Sequence, residues 1–206
     1  MMFANNSSGK AYGLTLLCPI RNESREDRSY SEMLSEYLEN LNADAQSPMA
    51  KVPNTYLARF YVLKDVFYQG HGFEEEHLKS KYLVFSSNFH GDRDDYVRGM
   101  WDSNEEEVRA IWQYCVDFKN VKTAKDFVDY IKRCQVDNVL FFNGSTDDSV
   151  AEQLKALYLK QEFTRFAYNN HGESPEELQQ KFREFVESTR PEELKSPTWH
   201  PGNADP

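Results

Sequence analysis

Residues 82–97, reading YLVFSSNFHGDRDDYV, hold the densest group of polar side chains in the chain: His90, Asp92, Arg93, Asp94 and Asp95 directly follow an apolar run. Imidazole changes charge near neutral pH, and a neighbouring carboxylate can orient and charge it. His90 with Asp92 is therefore a candidate acid–base pair. Strand alternation puts Asn88 on the same face as His90 and Ser86, and Arg93 adds a donor just past Gly91. Such a set can bind and orient a small polar group. The competing reading makes Asp92 a helix cap and His90 a partly exposed turn residue.

Arg59 stands inside another apolar run, TYLARFYVLKDV over 55–66. A guanidinium keeps its charge, so in apolar surroundings it needs a carboxylate, a carbonyl or an anionic ligand. The functional reading is a clamp for a substrate carboxylate, a haem propionate or a developing anion, with Tyr61 beside it as a substrate contact. The alternative is an arginine that snorkels or pairs near the strand margin.

His71 and His77 flank Glu74, Glu75 and Glu76, and His171 follows a long helix at Asn169 and Asn170. Imidazole ligates metals and haem iron, which makes His171 a cofactor-binding candidate; solvated polar loops are the competing reading. There is no HExxH and no CxxC, and 92–94 lacks the glycine and distal glutamate of a calcium loop, so no metal site is expected. Ser8-Gly9-Lys10-Ala11 lacks most of a phosphate loop, and Asn143-Gly144-Ser145 lacks the flanking glycine of a nucleophile elbow.

The elements that must position these groups are legible from periodicity and caps. Strands are expected over 11–18, 55–66, 81–89 and 136–143. Ser29-x-x-Glu32 and Thr123-x-x-Asp126 read as capping boxes, and Ser174-Pro175-Glu176-Glu177 adds proline at the first helical position. Asp92 or Gly91 starts a helix that stops near Trp101, Ser103-x-x-Glu106 starts the next, and 146–148 starts a long one. The class is α+β, as one domain over 11–188 with loose or partner-bound tails at 1–10 and 189–206. Both faces of strand 55–66 are apolar, so both sides of the sheet call for cover.

With 34 acidic and 24 basic residues and a net charge of −10, the average field repels nucleic acid and anionic lipid, and no compact run of Lys and Arg offsets it. Neither is an expected partner. No stretch of about 18 apolar residues is present, so no membrane span is expected. Cys18, Cys115 and Cys134 are widely spaced among apolar neighbours, which suits reduced, buried thiols and a cytoplasmic location.

In element order over about 12–144, the chain resembles the dimeric α+β barrel superfamily of ferredoxin-like proteins. The resemblance implies a four-stranded antiparallel sheet and a homodimer whose two sheets face each other around a pocket; this chain's extra helices after strands three and four exceed that minimal unit. It also implies an oxidative site, of the haem peroxidase or cofactor-independent monooxygenase kind, acting on a small, partly apolar molecule. Haem is the cofactor so implied. The competing function is a non-catalytic interaction module, using the acidic surface and the tail 190–206 with Trp199 and His200.

Overall fold

The computed structural model describes residues 6–202 apart from 68, 73, 75 and 146. Glu75 and Thr146, both read above, fall outside the described residues, as do 1–5 and 203–206. The chain divides into two compact units, Met1–Asp147 and Asp148–Pro206.

The first unit is built on an antiparallel sheet. Short β1 (Ser7–Ser8) leads into β2 (Ala11–Pro19), and a small ribbon of β3 (Ser24–Arg25) and β4 (Arg28–Ser29) precedes α1 (Tyr30–Glu39). Then come β5 (Thr55–Leu63), β6 (Tyr82–His90), α2 (Arg93–Trp112), α3 (Ala124–Cys134) and β7 (Gln135–Val136). The sheet order is β1-β2-β6-β5, with β7 also pairing β2, and every pairing is antiparallel. The α+β class stands.

Local chemistry starts the helices where the caps predict. Ser29 with Glu32 and Thr123 with Asp126 close capping boxes, each satisfying two orphan amides. Asp92 caps α2, its Oδ1 accepting from the amides of Asp94 (2.7 Å) and Asp95 (3.2 Å). The stop expected near Trp101 is instead a kink inside one helix, at Asn104 (φ −150°, ψ 43°). Ser103 does not cap a new helix there: its hydroxyl donates back to Gly99 O (2.7 Å), while the Asn104 side chain donates to Pro48 O (2.8 Å).

The fourth strand is corrected. Only Gln135–Val136 pairs, opposite Leu16 and Thr15, whereas strand was expected over 136–143. The edge of β2 beyond Thr15 is taken by the N-terminal segment: Ser7 pairs with Tyr12, Ser8 pairs with Ala11, and the Gly13 amide donates to Asn6 O. Residues 137–145 must leave the ladder, since an edge pairs with one neighbour at a time. Asn138 ends the strand, its amide donating to Asn6 Oδ1 (2.7 Å) and its side chain to Gly13 O (2.9 Å).

One sheet face is packed. Leu14, Leu16 and Cys18 of β2 and Leu83, Phe85 and Phe89 of β6 meet Val97, Met100, Trp112, Phe127 and Ile131 from α2 and α3. Aromatic edges interlock there: Phe60 stacks on Phe85 at 4.5 Å, and Trp112 meets Phe85 at 5.8 Å and Phe127 at 5.4 Å. The expected aromatic core lies on this side.

The second unit pairs α4 (Val150–Asn169) with α5 (Pro175–Thr189). Ser149 caps α4, one residue past the expected start, and Ser174 caps α5 as read. Phe163, Phe166, Phe182 and Phe185 cluster between the two helices. Lys155, only 2% exposed, donates to Thr189 O (2.6 Å) and Pro197 O (2.8 Å). Those carbonyls compensate a charge that burial alone would disfavour. No helix among the described residues is long and apolar enough to cross a membrane.

Candidate functional site

Alternation along β2, β5 and β6 leaves a second face on which three rows of side chains can be read from the register. Arg59 stands opposite Ser86, which stands opposite Thr15. On one side runs the row Tyr61, Val84, Leu17, and on the other Leu57, Asn88, Gly13. A cation row is thus flanked by apolar neighbours. Leu57 is 68% exposed, Tyr61 50% and Leu17 36%, so water reaches this face.

Part of it is covered from within the unit. Phe141 lies over Gly13 so closely that a Cβ there would stand 2.7 Å from the ring. Beside that patch, Leu57, Ala58, Arg59, Ser86 and Asn88 line a hollow of about 200 Å³. Arg59 is exposed, and neither its guanidinium nor the Asn88 amide makes a hydrogen bond or ion pair among the described residues. The hollow offers charged and neutral donors above an apolar floor.

A β-bulge between Thr55 and Leu57 sets its edge. The bulge is braced from the packed side by a buried chain of hydroxyls: Ser87 Oγ donates to Leu57 O (3.0 Å) and lies 2.8 Å from Tyr96 Oη. Tyr96 Oη in turn lies 3.1 Å from Thr55 Oγ1, which donates to Val52 O at 3.0 Å. Ser87 and Tyr96 were not singled out in the sequence. A hydroxyl in an otherwise apolar inward row was the signal available.

His90 lies on the same face but in a separate hollow of about 210 Å³, lined in part by Pro53, Asn54, Asp92, Asp95 and Tyr96. Four residues along a strand is about 13 Å from Ser86, too far for Arg59 and His90 to act on one small group. His90 Nδ1 lies 3.0 Å from Tyr56 Oη, whereas Asp92 spends an oxygen on the α2 amides. The expected acid–base pair is therefore divided between two tasks.

Arg93 turns away to brace helix ends. Its Nη1 donates to Gln135 Oε1 (2.9 Å), and its Nη2 meets Asp94 at 2.9 Å. Burial pushes the Asp94 carboxyl up, but Lys132 at 2.6 Å and Arg93 outweigh it and hold it below the usual carboxylate range. His171 is an exposed turn residue after α4, in the second unit. So Arg59, Asn88 and Tyr61 share a region; His90 and Asp92 share another; Arg93 and His171 join neither.

His77 Nδ1 lies 2.8 Å from Asp65 Oδ2 in an exposed loop, and the Leu78 amide, His77 and the Val66 amide hold Asp65 at about 2. No group of three or more metal-ligating side chains gathers among the described residues. Cys18 and Cys115 are buried and Cys134 half-buried, all free. Hydrogen bonding to Cys115 and burial push the Cys18 thiol up, away from a reactive thiolate. In the tail, Trp199 is half-buried and the Pro197 carbonyl is tied to Lys155.

Compared with family models, curated proteins and solved structures, the chain matches none.

Proposed function

We propose that the chain is a small-molecule-binding protein whose open sheet face floors a pocket for a partly apolar anion, roofed by the same face of a second copy. The observation that carries this reading is the setting of Arg59. It is a permanent cation with no carboxylate or carbonyl partner among the described residues, beside Leu57 and Tyr61, which remain largely exposed. Such a setting suits one carboxylate or sulfonate held by the guanidinium and Asn88, with the hydrocarbon body on Leu57 and Tyr61.

The second copy is supported by size and topology. One face alone encloses about 200 Å³, short of the roughly 300–1,000 Å³ of ordinary ligand cavities. Counted along the chain, β2, β5, β6 and β7 stand across the sheet as fourth, first, third, second. Helices separate the first from the second and the third from the fourth. That order supports a ferredoxin-like split βαβ arrangement, and with it the dimeric α+β barrel.

Haem does not fit the groups described. The hollow at His90 is of only about 210 Å³, and His171 is an exposed turn residue of the other unit. No base or nucleophile pair lines the Arg59 hollow. The reading therefore stops at binding.

Fluorescence titration with 8-anilinonaphthalene-1-sulfonate, an apolar anion, tests it. Saturable binding is expected, weakened about tenfold in Arg59→Gln, with sedimentation showing a dimer that Tyr61→Asp dissociates. Equal affinity in Arg59→Gln together with a monomeric parent overturns the reading.

A further inference from the structure

A third hollow, of about 400 Å³, opens beside α2 and shares no residue with the other two. Four cations line it, Arg21, Arg109, Lys119 and Lys122, over a floor that includes Phe118 and Val121. Arg21 is distant in the chain and Arg109, Lys119 and Lys122 are interrupted by other residues, so no basic run announces them. In a chain of net charge −10 this convergence is the reverse of the average. Because the Debye length is about 8 Å at physiological ionic strength, local charge outweighs the distant acids.

The two guanidiniums are fixed in place. Arg109 donates to Val121 O (3.2 Å) and Lys122 O (3.1 Å), and lies 4.6 Å over the Trp101 ring. Arg21 donates to Gln113 O (3.0 Å) and lies 4.7 Å over Tyr30. Each also meets one carboxylate, Glu105 at 2.8 Å and Glu23 at 3.0 Å. The ammonium groups of Lys119 and Lys122 pair with no carboxylate among the described residues. The acids nearest in sequence are engaged elsewhere: Asp117 accepts from the Asn120 side chain and pairs with Arg133, and Asp126 spends its Oδ2 on the amides of Lys122 and Thr123.

We propose that this hollow binds a small organic phosphate. Two ammonium charges left over after the arginine pairs match a phosphate monoester, which carries roughly −1.5 to −2 at neutral pH. The rigid guanidiniums retain N–H groups for its oxygens, and the apolar floor takes its organic body. The volume lies within the ordinary ligand range.

Amide-resolved NMR titration of the full chain with phenyl phosphate tests this. Saturable shifts are expected at residues 118–122, with Kd raised about tenfold in Lys119→Gln/Lys122→Gln. Lys125→Gln, whose ammonium pairs with Asp129 outside the hollow, is expected to bind like the parent. Inorganic phosphate, lacking the body, is expected to bind more weakly. Absence of shifts at 118–122, or parental affinity in the double variant, overturns the proposal. Since no residue is shared with the Arg59 hollow, either result leaves the sulfonate experiment unaffected.

Discussion

The two faces of the sheet differ in composition and in fate: the inner rows are apolar but for Ser87, whereas the outer rows mix Leu57, Tyr61 and Leu17 with Arg59, Ser86, Asn88 and Thr15. On the inner face, Phe60, Phe85 and Phe89 meet Trp112 and Tyr96 and are closed off by α2 and α3. On the outer face Leu17, Leu57 and Tyr61 stay exposed, with Arg59 among them. The amphipathic helices cover the more apolar face, and the mixed face keeps its apolar residues beside a cation. An exposed apolar row beside an unpaired cation is better explained by recognition than by stability.

Substitutions on the two faces should separate them most sharply. Trp112→Ala is expected to cost about 3–5 kcal/mol, through lost burial and a cavity among packed rings, whereas Leu57→Ala should stay within about 0.5 kcal/mol in the monomer made by Tyr61→Asp and cost more in the dimeric parent. Urea denaturation measures both. Equal small costs at Leu57 in the parent and in the Tyr61→Asp background would count against a roof over the outer face.

A smaller effect tests a place where the outer face is closed from within, over Gly13. Gly13→Ala puts a methyl against the Phe141 ring and is expected to cost about 1–3 kcal/mol. Amide exchange over 137–145 should rise while α2 and α3 stay protected. Unchanged exchange would show that Phe141 does not hold this patch.

The weakest effect concerns acid. Asp65, just past β5 on the open edge, sits at about 2 against an ordinary 3.8, held down by the Leu78 amide, then His77 and the Val66 amide. A depressed carboxyl contributes stability that is full above 3.8 and is lost as pH falls through about 2. Protection of the Leu78 amide, its exchange relative to the intrinsic rate at each pH, should therefore be constant around neutral pH and fall only below that upper value, with the packed face unaffected. Loss of protection beginning near neutrality as the pH falls would contradict the assignment.

What could be read in advance was local. The capping boxes at Ser29, Thr123 and Ser174 need only a partner three residues on, and Asp92 as a cap needs only the amides two and three residues on. Alternation likewise placed Arg59 with Tyr61, and Asn88 with His90, on their respective strand faces. The division of His90 from Arg59 was not legible, because it depends on the β5–β6 register and on the bulge at Thr55.

The primary structure by itself determined the α+β class, the capped starts at Ser29, Asp92, Thr123 and Ser174 and the first three apolar strands, since these follow from contacts a few residues long. Tertiary structure alone decided that the fourth strand stops at Val136. The competitor for the β2 edge is Asn6 with Ser7 and Ser8, more than a hundred residues away in the chain. It alone also gathered Arg21, Arg109, Lys119 and Lys122 around one hollow. Long-range pairing competes for a limited set of backbone donors and acceptors, and no local pattern records which segment wins.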